Sequence, residues 1–160
     1  MLWVASDKQA NIHPLVISNF FGEGFQREFI WQGTRDFTAW LAAEDAIAFG
    51  TGLGWDRIRL HNHQMAVWVQ QMLCDCWQVE PNSPQNGSML GSMASITLPN
   101  PVPRQFKDRH ALGDHLRSVH RIVVPVVEWE DRWLIRPCCQ VYNRPEEYER
   151  LAEAINKLVP

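Results

Sequence analysis

Apolar residues recur at threes and fours over one long stretch of the chain: Ile58, Met65, Trp68, Val69, Met72, Leu73 and Cys76. That spacing predicts an amphipathic helix from about Asp56 to Gln78. A shorter helix is expected over Ala39–Phe49, capped by Thr38, with Trp40, Leu41, Ala43, Ile47 and Ala48 on or near one face and Gly50, Gly52 and Gly54 breaking the chain after it. Leu112 and Leu116 share one side of a predicted helix from Asp108 to His120. A closing helix begins near Pro145, capped by Asn143, with Tyr148, Leu151, Ile155 and Leu158 turned inward.

Other segments alternate or run apolar over short lengths, as strands do. Residues 2–5 read as a short strand, Leu15–Ser18 as a short apolar run, and Met93–Leu98 as a strand ended by Pro99, Pro101 and Pro103. Ile122–Trp129 and Arg132–Cys138 read as a hairpin turning at Glu130-Asp131, with Pro125 and Pro137 marking edges or irregularities. Pro81, Asn82, Ser83, Pro84, Asn86 and Gly87 form the clearest linker. Helix, strand, helix, strand, strand, helix is the order of an α/β chain of the α+β sandwich type, an antiparallel sheet with helices on one face. The pattern alone gives only α+β.

Composition narrows the function classes. A chain of 160 residues fits one domain, or a small domain with an arm, and its hydrophobic share of 46% with 21% charged residues is ordinary for a globular protein. A net charge of −3 argues against a nucleic-acid surface. No apolar run approaches the roughly 18–20 residues of a membrane span. The first seven residues lack a charged region and a full apolar core, so no secretory signal is expected and the cytoplasm is the expected location. Eight Trp spread along the chain suit core and interface filling. Cys74-x-Cys76 on a helix would point its thiols about 200° apart. Neither that pair nor Cys138-Cys139 has zinc spacing, and His61-x-His63 misses the i, i+4 spacing of helical ligands. No metal site is expected.

Two segments carry candidate chemistry. In Trp31-Gln32-Gly33-Thr34-Arg35-Asp36, Gly33 lets a ligand approach the backbone, and Thr34 offers a hydroxyl and an N–H of the kind that hold a phosphate oxygen. Arg136 closes the apolar run Trp133-Leu134-Ile135, where a guanidinium needs an anionic partner, and leads into Gln140-Val141-Tyr142-Asn143. Plainer readings stand beside these: an ordinary turn with Thr34 and Asp36 as capping groups, a structural ion pair for Arg136, and a local Arg35–Asp36 pair holding the loop. Asn143 can equally cap the last helix or touch a ligand.

Taken in order, Gly33-Thr34-Arg35-Asp36, a long helix, the strand bearing Arg136, Gln140-Val141-Tyr142-Asn143 and a closing helix resemble the C-terminal part of class V aminotransferases. The likeness is to the isopenicillin N epimerase-like branch, with cysteine desulfurases as cousins, and it covers essentially the whole chain. It implies the C-terminal small domain of a fold-type-I pyridoxal-phosphate transferase over residues 38–160, preceded over 1–37 by a remnant of the large cofactor-binding domain. It also implies that Gly33 and Thr34 reach the phosphate of pyridoxal 5'-phosphate across a dimer interface, and that Arg136 takes the α-carboxylate of an amino-acid substrate. The Schiff-base lysine of the family, preceded by His and followed by an aromatic residue, has no counterpart at Lys8, Lys107 or Lys157. The expectation is therefore a chain inactive alone, acting as a homodimer or with a complementing N-terminal chain; the other expectation is a non-catalytic dimerisation module. No catalytic residue is assigned.

Overall fold

Leu73, Val69 and Ala66, three or four positions apart, fall on one face of the helix that forms over Trp55–Trp77 (α3), and all three are fully buried. The computed structural model describes residues 2–159 and divides the chain into two units, Met1–Phe49 and Gly50–Pro160. Two helices precede α3: α1, Phe25–Ile30, and α2, Thr38–Leu53. The boundary between the units falls inside α2.

The second unit holds the apolar core. The strands β1 (Ile96–Thr97), β2 (Val126–Trp129) and β3 (Arg132–Ile135) form an antiparallel sheet in the order β1-β3-β2, and the helices α4 (Arg109–His120) and α5 (Pro145–Asn156) flank β2 and β3 in sequence. Register aligns Ile96, Ile135 and Val126 in one row across the sheet, and all three are buried. That row joins Leu73 of α3, Leu112 and Leu116 of α4, and Leu151 and Ile155 of α5 in one cluster. The next row, Thr97, Leu134 and Val127, points the other way because strand side chains alternate, and it is only half-buried. The architecture is thus mixed helix and small antiparallel sheet.

Several boundaries differ from the sequence expectation. Asp108 accepts the Ala111 N–H at 2.8 Å and caps α4 as a good N-cap does. The last helix is capped by Arg144 instead of Asn143: the Glu147 carboxylate takes the Arg144 N–H at 3.0 Å, and the Asn143 amide donates to the same oxygen. Both strands of the hairpin are shorter than expected, because Pro125 and Pro137 bracket the ladder and proline has no N–H to give it. The strand over Met93–Leu98 shrinks to Ile96–Thr97 plus an isolated bridge from Met93 to Cys138. Residues 2–5 pair with no strand, and a 3-10 helix follows over Ser6–Asn11. α2 runs through Gly50 and Gly52 and stops only at Gly54, whose φ of 87° breaks the helix. Trp40, Leu41 and Ile47, expected on or near one face of α2, are exposed.

Replacing Leu73 by Ala removes a fully buried side chain from the centre of the cluster. The expected loss is about 2–5 kcal/mol, read as a lower urea midpoint, while Leu60→Ala on the exposed face of the same helix leaves the midpoint within about 0.5 kcal/mol.

Candidate functional site

Gln32, Gly33 and Thr34 form a bend between α1 and α2. Gly33 has a φ of 100°, and a Cβ built there would meet no atom within 4 Å, so glycine is required by the backbone and not by crowding. Thr34 is exposed, and its hydroxyl has no hydrogen-bond partner among the described residues. The expected Arg35–Asp36 pair does not form. Arg35 donates to Gln32 Oε1 at 3.2 Å and lies over the Phe37 ring at 5.0 Å. Asp36 instead accepts the N–H of Thr38 at 2.8 Å and also the Thr38 hydroxyl. The capping acceptor of α2 is therefore Asp36, and Thr34 is left free. Hydrogen bonds from the Thr38 hydroxyl and N–H hold the Asp36 carboxyl below its ordinary range.

The first unit also holds a network absent from the sequence expectation. Glu28 of α1 is only 2% exposed, and it accepts from His13 Nδ1 at 2.7 Å and from the Gly22 N–H at 3.0 Å. The His13 hydrogen bond, with help from the Gly22 N–H, lowers the Glu28 pKa against burial. Fifteen positions separate His13 from Glu28, so no periodicity announces the pair. Its only sequence signal is a glutamate that replaces an apolar residue on a short helix rich in Phe.

Arg136 follows the last residue of β3. Its N–H donates to the Pro125 carbonyl at 3.0 Å, and exposed Arg136 alternates with buried Ile135 and Pro137. The side chain therefore stands on the open face of the sheet. Among the described residues it makes no ion pair or side-chain hydrogen bond, so the structural ion pair left open by the sequence does not form. It borders two hollows. One, of about 360 Å³, is lined by Ser95, Val127, Trp129, Arg132, Leu134 and Arg136 on the open face. The other, of about 240 Å³, lies beside α5 and includes Arg121, Tyr148 and Arg150.

The Gln140-Val141-Tyr142-Asn143 segment is anchored from below. Gln140 Oε1 accepts from Asn62 of α3 at 2.9 Å, and Asn143 Oδ1 accepts the Gln140 N–H at 3.0 Å. Tyr148 donates its hydroxyl to the Cys138 carbonyl at 2.9 Å, and burial pushes its pKa upward. Cys139 is buried, which raises its thiol pKa, whereas Cys138 is exposed. Cys74 and Cys76 likewise divide into one buried and one exposed thiol. Among the described residues no three His, Cys, Asp or Glu side chains group as metal ligands, and no helix is long and apolar enough to cross a membrane.

No protein-family model matches the chain. It is similar to a protein named isopenicillin N epimerase from Amycolatopsis lactamdurans, 37% identical over 127 residues that make up 79% of this chain and 31% of that protein. It is similar as well to two Arabidopsis thaliana proteins, one named probable L-cysteine desulfhydrase, chloroplastic (34% identical, 94% of this chain, 34% of that one) and one named L-cysteine desulfhydrase (33% identical, 94% and 37%). The chain is a homologue of these proteins. The likeness read from Gly33-Thr34 and Arg136 to the isopenicillin N epimerase-like branch of class V therefore holds along most of its length. The chain spans about a third of the length of the curated relatives it matches.

A carboxyl with a depressed folded pKa contributes stability that is fully present above its unfolded value and disappears as the pH falls through the folded one. For Asp36 the window therefore opens at the ordinary 3.8 and extends downward. Carboxyl NMR titration is expected to give Asp36 a midpoint below 3.8, moving up toward it in Thr38→Ala. An unmoved midpoint in that variant contradicts the assigned cap.

Proposed function

We propose that this chain supplies two anion-binding elements of a pyridoxal-phosphate-dependent enzyme acting on an amino acid. Residues 38–160 act as its C-terminal small domain, and residues 1–37 as the part of the large domain that carries the phosphate-contacting loop. The observation that carries this reading is the exposed Arg136, which stands on an open sheet face with no acidic partner among the described residues. An arginine offers a carboxylate two parallel N–H bonds, a geometry that lysine cannot match.

The residues present fit the phosphate end of the cofactor. The positive φ of Gly33, the open space above it and the unpartnered Thr34 hydroxyl leave donors free for a dianion. The phosphate is that of a cofactor bound to a neighbouring subunit. When bound, pyridoxal phosphate supplies an electron sink that lets an amino-acid Cα proton leave. Arg136 fixes the carboxylate on that Cα, so that it orients the bond to be broken, while Gly33 and Thr34 fix the opposite end.

The lysine that holds the cofactor comes from polypeptide outside this chain. Lys8, Lys107 and Lys157 are all exposed, and Lys8 and Lys107 contact the carboxylates of Asp7 and Asp108 at 3.0 and 3.9 Å. The surface of the first unit supports a need for such a partner. Its buried side chains among the described residues are polar, Ser18 and Glu28, while Trp3, Leu15, Ile17 and Leu41 are exposed. A homodimer or a complementing chain of the same family would cover this apolar area. Epimerisation and desulfhydration, the activities named in the relatives, both begin at the substrate Cα and use the same two grips. Four free cysteines fit the reducing cytoplasm.

Mixing the purified chain with pyridoxal phosphate is expected to give no chromophore that survives dialysis; a retained lysine-linked band contradicts the reading. Adding a polypeptide that carries the family's lysine loop is expected to restore retention. In that complex Thr34→Ala weakens cofactor binding and Arg136→Lys raises KM, each by roughly 10- to 100-fold, the value of one hydrogen bond to a charged group.

A further inference from the structure

The last turns of α3 and the chain that leaves them enclose a hollow of about 460 Å³. Gln70, Gln71, Cys74, Asp75 and Gln78 line it from the helix, and their spacing of ones and threes puts them on one face. At Gln78 the backbone turns left-handed, with φ at 52°, and Glu80 and Gln85 close the other side. Gln70, only 1% exposed, ties the returning loop down by accepting the Ser83 hydroxyl at 2.6 Å.

Both charges on this lining are negative. Asp75 and Glu80 are exposed, and neither carboxylate has an ion pair or hydrogen bond among the described residues. The C-terminal end of the 23-residue α3 adds its carbonyl dipoles in the same sense. Cys74 reports on this field from the floor. It is 7% exposed, and its thiol has no hydrogen-bond partner among the described residues. Burial first, then the charges of Asp75 and Glu80, push its pKa up. The thiol therefore stays protonated near neutral pH and is no nucleophile, and surroundings that disfavour a thiolate favour a cation.

The lining also selects among cations. No aromatic ring borders the hollow, so a quaternary ammonium finds no cage there. Among the described residues no three His, Cys, Asp or Glu side chains group to hold a metal ion. Gln71 and Gln78 each commit an amide N–H to a backbone carbonyl, of Gln85 and Asp75, which leaves their amide oxygens as acceptors. A primary ammonium carries three donors on one compact charge and suits acceptors placed singly, whereas a guanidinium fork suits paired ones.

We propose that this hollow binds a small organic amine through its ammonium groups, with Asp75 and Glu80 as charge partners and Gln71 and Gln78 as neutral acceptors.

The test is an NMR titration of the full chain at about 0.15 M ionic strength, where exposed charges are screened beyond about 8 Å. The side-chain amide signals of Gln71 and Gln78 are followed against putrescine, butylamine and choline. Putrescine is expected to shift them saturably and to bind roughly tenfold more tightly than choline, with butylamine between the two. Asp75→Asn combined with Glu80→Gln keeps the fold, because both side chains are exposed, and is expected to weaken putrescine binding roughly tenfold. Equal affinity for putrescine and choline leaves only a negative surface and overturns the proposal. Putrescine binding that survives the double variant, or the lack of any saturable shift, overturns it as well.

Discussion

Burial of the row Ile96, Ile135 and Val126 beneath α3, α4 and α5 decides most of what the second unit presents to a ligand. A strand cannot turn one residue inward without turning its neighbours outward. Once Ile135 is committed to the cluster, Arg136 is committed to the far side, and Leu134 and Arg132 follow two and four positions back. The helices take the inner face, so the charged residues of β3 are left on the half-buried outer one, where the Asn82 side chain meets Thr97. The apolar core thus places the guanidinium without contacting it.

Polar ties then fix the end of the strand. The Arg136 N–H bonds to Pro125, the Cys139 N–H to the Ser92 carbonyl at 2.7 Å, and the Tyr148 hydroxyl to the Cys138 carbonyl. Asn62 reaches from α3 to Gln140, so the turn after the strand is held by the helix that carries most of the core. Each of these partners is a neutral group, so none of the ties forms an ion pair with Arg136. A cation supported by neutral groups on an accessible surface is suited to receive an anion from outside.

Legibility in the sequence followed burial. α3, α4, α5 and the hairpin turn at Glu130-Asp131 were readable because their apolar spacing matches the face each one hides. The strand ends were less so: Pro99, Pro125 and Pro137 limit the ladder in ways that an apolar run does not display. α2 was expected from its composition, but its extension through Gly50 and Gly52 runs against a propensity cost of about 1 kcal/mol per glycine. Its apolar residues misled on burial: Trp40, Leu41 and Ile47 all stay exposed. For the candidate site, Gly33, Thr34 and Arg136 were named in advance, and the structure finds all three accessible. The carboxylate network of His13, Gly22 and Glu28 was invisible, since hydrogen bonds between distant positions leave no period in a chain.

The first unit encloses Glu28 and Ser18 where a domain usually encloses leucine and valine. Heat capacity on unfolding comes chiefly from apolar surface newly wetted, and polar exposure acts in the opposite sense. Melting of residues 2–49 therefore contributes little to a calorimetric transition, which belongs almost wholly to the Gly50–Pro160 unit. The buried Glu28 is held by hydrogen bonds from His13 and Gly22, so ionic conditions, more than temperature, decide when that network is in shape.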